Sequence, residues 1–167
     1  QRVESTLARV CAERETRFTL TVERGTYPRR AIESAGAADW LVLDRGGATD
    51  AGAAGYRRIA AAFDGSPASG RALSAAAAIA RDGRRPLRVL LVADDPDRLS
   101  LLREQARELV GAGLMPEFGR ASRADPQVLL ARLAEGGGAL LVVGTELAEP
   151  AAMAQPALAG CTVLVAR

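Results

Sequence analysis

The sequence has no lysine, no histidine and no asparagine, and all 22 of its basic residues are arginine. A histidine general base, a Schiff-base lysine and a phosphate-loop lysine are therefore excluded. Aromatic residues make up only 4% of the chain, so its core must be built from Leu, Val and Ala. There are two cysteines, Cys11 and Cys161, each among apolar neighbours. That pattern predicts buried free thiols rather than a disulfide, and with them a reducing, cytoplasmic setting. No apolar run approaches the ~18 residues of a membrane span. The alanines at 75–78 are flanked by Arg71 and Arg81. Net charge is +2 and the acids are interleaved with the arginines, so no basic stripe marks a nucleic-acid binder. Neither nucleic acid nor membrane is an expected partner.

What is present is a strand, a tight turn and a helix in one stretch, residues 57–70. Residues 59–63 are apolar throughout, as a strand covered on both faces should be. Asp64-Gly65 is a turn pair, Ser66 suits a helix N-cap, and Pro67 suits the first helical position. Ala68, Ala72, Leu73, Ala76, Ala77 and Ala80 then fall on one helical stripe, which stops at Gly83. In open α/β sheets ligands bind outside the carboxyl ends of the strands, and Asp64, Gly65 and Ser66 occupy such a place.

The rest of the chain follows the same grammar. Residues 2–16 read as an amphipathic helix, 17–23 as a half-buried strand, 28–38 as a helix and 40–43 as a strand. Residues 48–56 are small and Gly-rich, as in a linker. Residues 87–93 are the next strand. A helix from Asp95-Pro96 follows, with Leu99, Leu102, Ala106, Leu109 and Val110 inward. Residues 114–122 form a weaker edge strand, because Pro116 cannot join a central ladder. Asp125-Pro126 opens another helix, 139–143 is a buried strand, 146–158 a poor helix interrupted by Pro150 and Pro156, and 161–166 the last strand. Strands alternating with helices from residue 58 onward predict a doubly wound parallel α/β sheet.

An internal repeat also shows. Shifted by about a hundred positions, Leu41-Val42-Leu43 falls on Leu141-Val142-Val143, and the helix before each strand matches as well. The expected organisation is a partial repeat at residues 1–47, a linker at 48–57 and a complete unit at 58–167. Gln1 falls inside a helical pattern, which leads us to expect a longer chain ahead of it.

The ends of three strands carry a resemblance. Phe63-Asp64-Gly65-Ser66, then 139–144 (Ala-Leu-Leu-Val-Val-Gly), then 161–167 (Cys-Thr-Val-Leu-Val-Ala-Arg) resemble the corresponding motifs of the universal stress protein family. The resemblance implies a five-stranded parallel sheet of order 3-2-1-4-5, often dimeric or in tandem, which here means a homodimer or an intramolecular pseudo-dimer. In members that bind ATP, the aspartate after the first strand, here Asp64, lies near adenine and ribose. The end of the second strand, here Val92, lines the base. A loop after the fourth strand, here beginning at Gly144 and Thr145, wraps the phosphates in a Gly-two-residues-Gly-nine-residues-Gly-Ser/Thr pattern.

That loop is where this sequence departs. After Val143 it reads Gly144-Thr145-Glu146-Leu147-Ala148-Glu149-Pro150, with no second glycine before Gly160. Backbone N–H groups cannot approach an anion closely without such glycines, and two carboxylates stand where phosphates would lie. Gly52-Ala53-Ala54-Gly55 followed by Gly65-Ser66 has the right spacing, but its spacer contains the strand 59–63. Asp94, Asp95 and Asp97 are read as acids favouring a helix start rather than as a metal site. Ser66 and Ser69 make no triad without a histidine. The expectation is a non-catalytic regulatory or interaction domain without a cofactor and without tight ATP binding. The alternative is a module for adenosine, AMP or a cyclic nucleotide, using Asp64, Gly65, Ser66, Val92, Gly144 and Thr145.

Overall fold

A strand that is apolar at every position needs cover on both faces, and the strand around residues 59–63 has it. The computed structural model describes residues 11–13, 31, 38–44, 56–122, 126–135, 139–148, 153, 158 and 160–167. Its elements are β1 (Trp40–Asp44), β2 (Arg58–Phe63), α1 (Pro67–Asp82), β3 (Leu87–Val92), α2 (Pro96–Val110), β4 (Glu117–Ala121), α3 (Pro126–Ala134), β5 (Ala139–Gly144) and β6 (Thr162–Ala166), with a 3-10 turn at Thr145–Leu147. The expected helix 2–16 is described only at 11–13 and the helix 28–38 only at residue 31 and at 38. The strand 17–23, residues 48–55, Asp125 and Glu149 lie outside the described residues, as does most of 149–159.

The sheet runs β1-β6-β5-β2-β3-β4. The five strands from β2 onward are mutually parallel and stand in the order 3-2-1-4-5, with β2 at the centre between β3 and β5. The sixth strand, β1, extends this arrangement: it adds antiparallel to β6, with Leu41 opposite Val165 and Leu43 opposite Val163. The apolar edge of β6 is thereby covered within the chain.

Alternation along the strands divides the core in two. Ile59, Ala61 and Phe63 face α1 and α2, together with Leu73, Leu102 and Val142. Ala60 and Ala62 face α3, together with Leu130, Leu141 and Val163. With helices on both faces, the sheet is doubly wound. The alanine stripe of α1 is buried as its spacing predicts.

Three details differ from expectation, those at Leu109, Pro116 and Cys11, and one goes beyond it, at Gly83. Leu109 is 42% exposed rather than inward. The buried row of α2 is Leu102, Ala106 and Val110, and Leu109 sits one row aside, near Gly70 of α1. Gly83 ends α1 in right-handed geometry, and Arg84 takes the left-handed conformation at φ 49° instead. Pro116 precedes β4 rather than interrupting it. Cys161 is buried, whereas Cys11 is only half-buried; both are free thiols. Among the described residues no helix is long and apolar enough to cross a membrane.

Candidate functional site

Three adjacent parallel strands, β3, β2 and β5, end at the same side of the sheet. The six residues singled out from the sequence sit at those ends. Asp64, Gly65 and Ser66 follow β2, Val92 ends β3, Gly144 ends β5, and Thr145 begins the 3-10 turn.

The turn after β2 is held by its own side chains. Asp64, 7% exposed, accepts the Ser66 N–H on Oδ1 at 3.0 Å. Gly65 adopts φ 84°, a conformation that favours glycine. Ser66 caps α1: its Oγ accepts the Ser69 N–H at 3.2 Å. Ser69, fully buried, donates its hydroxyl to the Ser66 carbonyl at 3.0 Å and accepts the Asp64 N–H at 3.4 Å. Sequence reasoning missed Ser69 as a builder of this turn. Its signal was the Ser-Pro-x-Ser spacing, which places a second hydroxyl one turn into the helix.

Two neighbours close in on the turn. Arg98 of α2 donates from Nη2 to the Asp64 carbonyl at 3.4 Å, and its guanidinium lies against Gly65. From β5, Gly144 presses on the start of α1. A Cβ there would lie 2.7 Å from the Ser69 nitrogen and 3.0 Å from the Ala68 carbonyl carbon. Here glycine answers a close approach of two backbones, since its φ of −76° is ordinary.

Glu146 completes the arrangement. Its Oε2 accepts the Ser66 hydroxyl at 3.4 Å, and the same oxygen lies 3.1 Å from where a Cβ on Gly144 would be. The positive end of α1 thus faces a carboxylate from the chain itself. Three donors at this helix start, the Ser66 N–H, the Ser69 N–H and the Ser66 hydroxyl, are taken by side chains of the protein. Val92 is buried on the α3 face of the sheet. Asp95 caps α2 by accepting the Arg98 N–H at 2.9 Å, which accounts for one acid of the 94–97 cluster as a helix-start group.

This is an α/β domain whose strand-end turns converge where such folds hold ligands. Residues 55–154, more than half of the chain, match the sequence model of the universal stress protein family, and the chain belongs to that family. No curated protein matches it. Among solved structures, a universal stress protein from Archaeoglobus fulgidus DSM 4304 superposes with a TM-score of 0.51 at 22% identity, over 66% of this chain and 44% of that one. That likeness is one of fold, and this chain spans less than half the length of the Archaeoglobus protein. A universal-stress-family protein from Burkholderia pseudomallei matches at 28% identity and a TM-score of 0.45, over 66% of this chain and 95% of that one. A universal stress protein in complex with cAMP matches at 28% identity and a TM-score of 0.42, over 53% of this chain and 72% of that one.

Proposed function

We propose that this chain is a non-catalytic regulatory or interaction domain of the universal stress protein family that does not bind ATP tightly. The observation that carries the reading is the Glu146 carboxylate at the start of α1, 3.4 Å from the Ser66 hydroxyl. A phosphate brought to within about 5 Å of that carboxylate is opposed by about 3 kcal/mol at an effective dielectric near 20, before salt screening. Three of the donors at the start of α1 are already used by Asp64, Ser66 and Glu146. No glycine follows Gly144 closely enough to build a backbone cradle.

The reading assigns no catalytic residue, and regulation on it works through protein contacts. We extend it to organisation: a partial first repeat at 1–47, a linker at 48–57 and a complete unit at 58–167. The pairing of β1 with β6 supports it, because β1 supplies the contact that a second copy would otherwise make.

The alternative reading, a module for adenosine, AMP or a cyclic nucleotide at Asp64, draws its support from the convergence of Asp64, Val92 and Gly144 at neighbouring strand ends. A neutral nucleoside avoids the repulsion from Glu146. Thermal-shift titration with ATP, AMP, cAMP and adenosine separates the two. Ligands that bind the native state raise the melting temperature with concentration. The first reading expects no shift with any of the four. A shift with adenosine, AMP or cAMP but not ATP favours the second, and a shift with ATP overturns the first.

A further inference from the structure

A crevice of about 310 Å³ opens between the carboxyl ends of β3 and β4, and none of the residues of the Asp64 turn lines it. Ala93 and Asp94 come from the end of β3, Leu99 from α2, Arg120 and Ser122 from the end of β4, and Arg132 from α3. The volume is at the lower end for a small-molecule site.

Arg132 is held in place. Its Nη1 donates to the Arg120 carbonyl at 3.1 Å, and its own carbonyl accepts Arg88 Nη1 at 3.1 Å. A guanidinium has five N–H donors, and this contact uses one. Among the described residues neither Arg120 nor Arg132 has a carboxylate partner; the nearby acids Glu117 and Glu135 pair with Arg88 instead. Among the described residues the crevice therefore joins two arginines, one aspartate and an apolar wall at Leu99, with a balance of one positive charge. Planar guanidinium groups suit the bidentate binding of a carboxylate. Asp94 disfavours a doubly charged head and can accept a bond from an amino or hydroxyl group.

We propose that this crevice binds a small organic carboxylate bearing an amino or hydroxyl group. The carboxylate meets Arg120 and Arg132, the amino or hydroxyl group meets Asp94, and the apolar body lies against Leu99. The proposal is independent of what binds at Asp64.

The test is titration of the full chain with leucine, 3-hydroxybutyrate and glycerol 3-phosphate, followed by amide NMR shifts and calorimetry. The expected result is saturable binding of a carboxylate at millimolar concentration or below, with shifts at the Ala93 and Ser122 amides. Arg120→Gln and Arg132→Gln, both at exposed positions, should each weaken binding about tenfold or more. Asp94→Asn should lower affinity for leucine and raise it for glycerol 3-phosphate. Asp64→Ala should leave carboxylate binding unchanged, which separates this site from the Asp64 turn. Absence of saturation by either carboxylate at about 10 mM, binding indifferent to both arginine substitutions, or a wild-type preference for glycerol 3-phosphate would overturn the proposal.

Discussion

Glu146 and Ser66, eighty positions apart in the chain, meet at 3.4 Å, with the Ser66 hydroxyl donating to the Glu146 carboxylate. The contact joins the end of β5 to the start of α1 and places a negative charge at the positive end of the helix. A carboxylate so placed stabilises a helix by about 0.3–1 kcal/mol at low salt. Glu146→Gln should lower the denaturant midpoint slightly in dilute buffer, with the difference fading in molar salt. An equal loss at both salt concentrations would assign the effect to packing.

Gly144→Ala tests the close approach of β5 to α1. Its Cβ would meet backbone atoms of Ala68 and Ser69, which cannot rotate away. Overpacking of this kind costs about 1–3 kcal/mol. Chemical denaturation should show that loss, and an unchanged midpoint would mean that α1 can slide outward freely.

Phe63 is 2% exposed and closes the central strand against α1 and α2. Phe63→Ala should cost about 3–5 kcal/mol by the same measurement. A loss under about 1 kcal/mol would place the ring at the surface.

The β1–β6 pairing gives a prediction by hydrogen exchange. Leu43 is buried opposite Val163, and the Arg167 N–H donates to the Asp39 carbonyl at 3.1 Å. Leu43→Pro removes a donor and the side-chain anchor together. The β6 amides that face β1 should then exchange rapidly, while those that face β5 stay protected. Uniform protection of β6 in the variant would contradict the pairing.

Much of this fold is legible because the physics that forms it is local. The apolar run 59–63, the Ser66-Pro67 start and the alanine stripe of α1 identify a buried strand and a helix without reference to anything distant. That the apolar edge of β6 is covered follows from the rule that apolar edges are paired, but whether the same chain or a second copy covers it, and in which sense, depends on how distant elements dock; here it is β1, antiparallel. Leu109 shows the limit of periodicity. Leu109 lies beside the row of Leu102, Ala106 and Val110 at helical spacing, and only the docking of the helix against the sheet and α1 leaves it partly exposed. Arg84 shows another: the stop at Gly83 is legible, but the left-handed conformation at Arg84 that follows it is not. At the strand ends, the departure after Gly144 is readable as a missing glycine pattern. The contact of Glu146 with Ser66 is not, since it depends on how two elements dock. The crevice at Arg120 and Arg132 is hidden for the same reason: each arginine alone reads as a solvated surface residue.

The most direct test is calorimetry with ATP and adenosine on the wild-type chain and on Asp64→Ala. If the charge of Glu146 and the occupied donors at α1 govern the site, ATP binds no more tightly than adenosine and stays weaker than about micromolar. Micromolar ATP binding that Asp64→Ala weakens would contradict the account and show that the phosphates find a cradle despite Glu146.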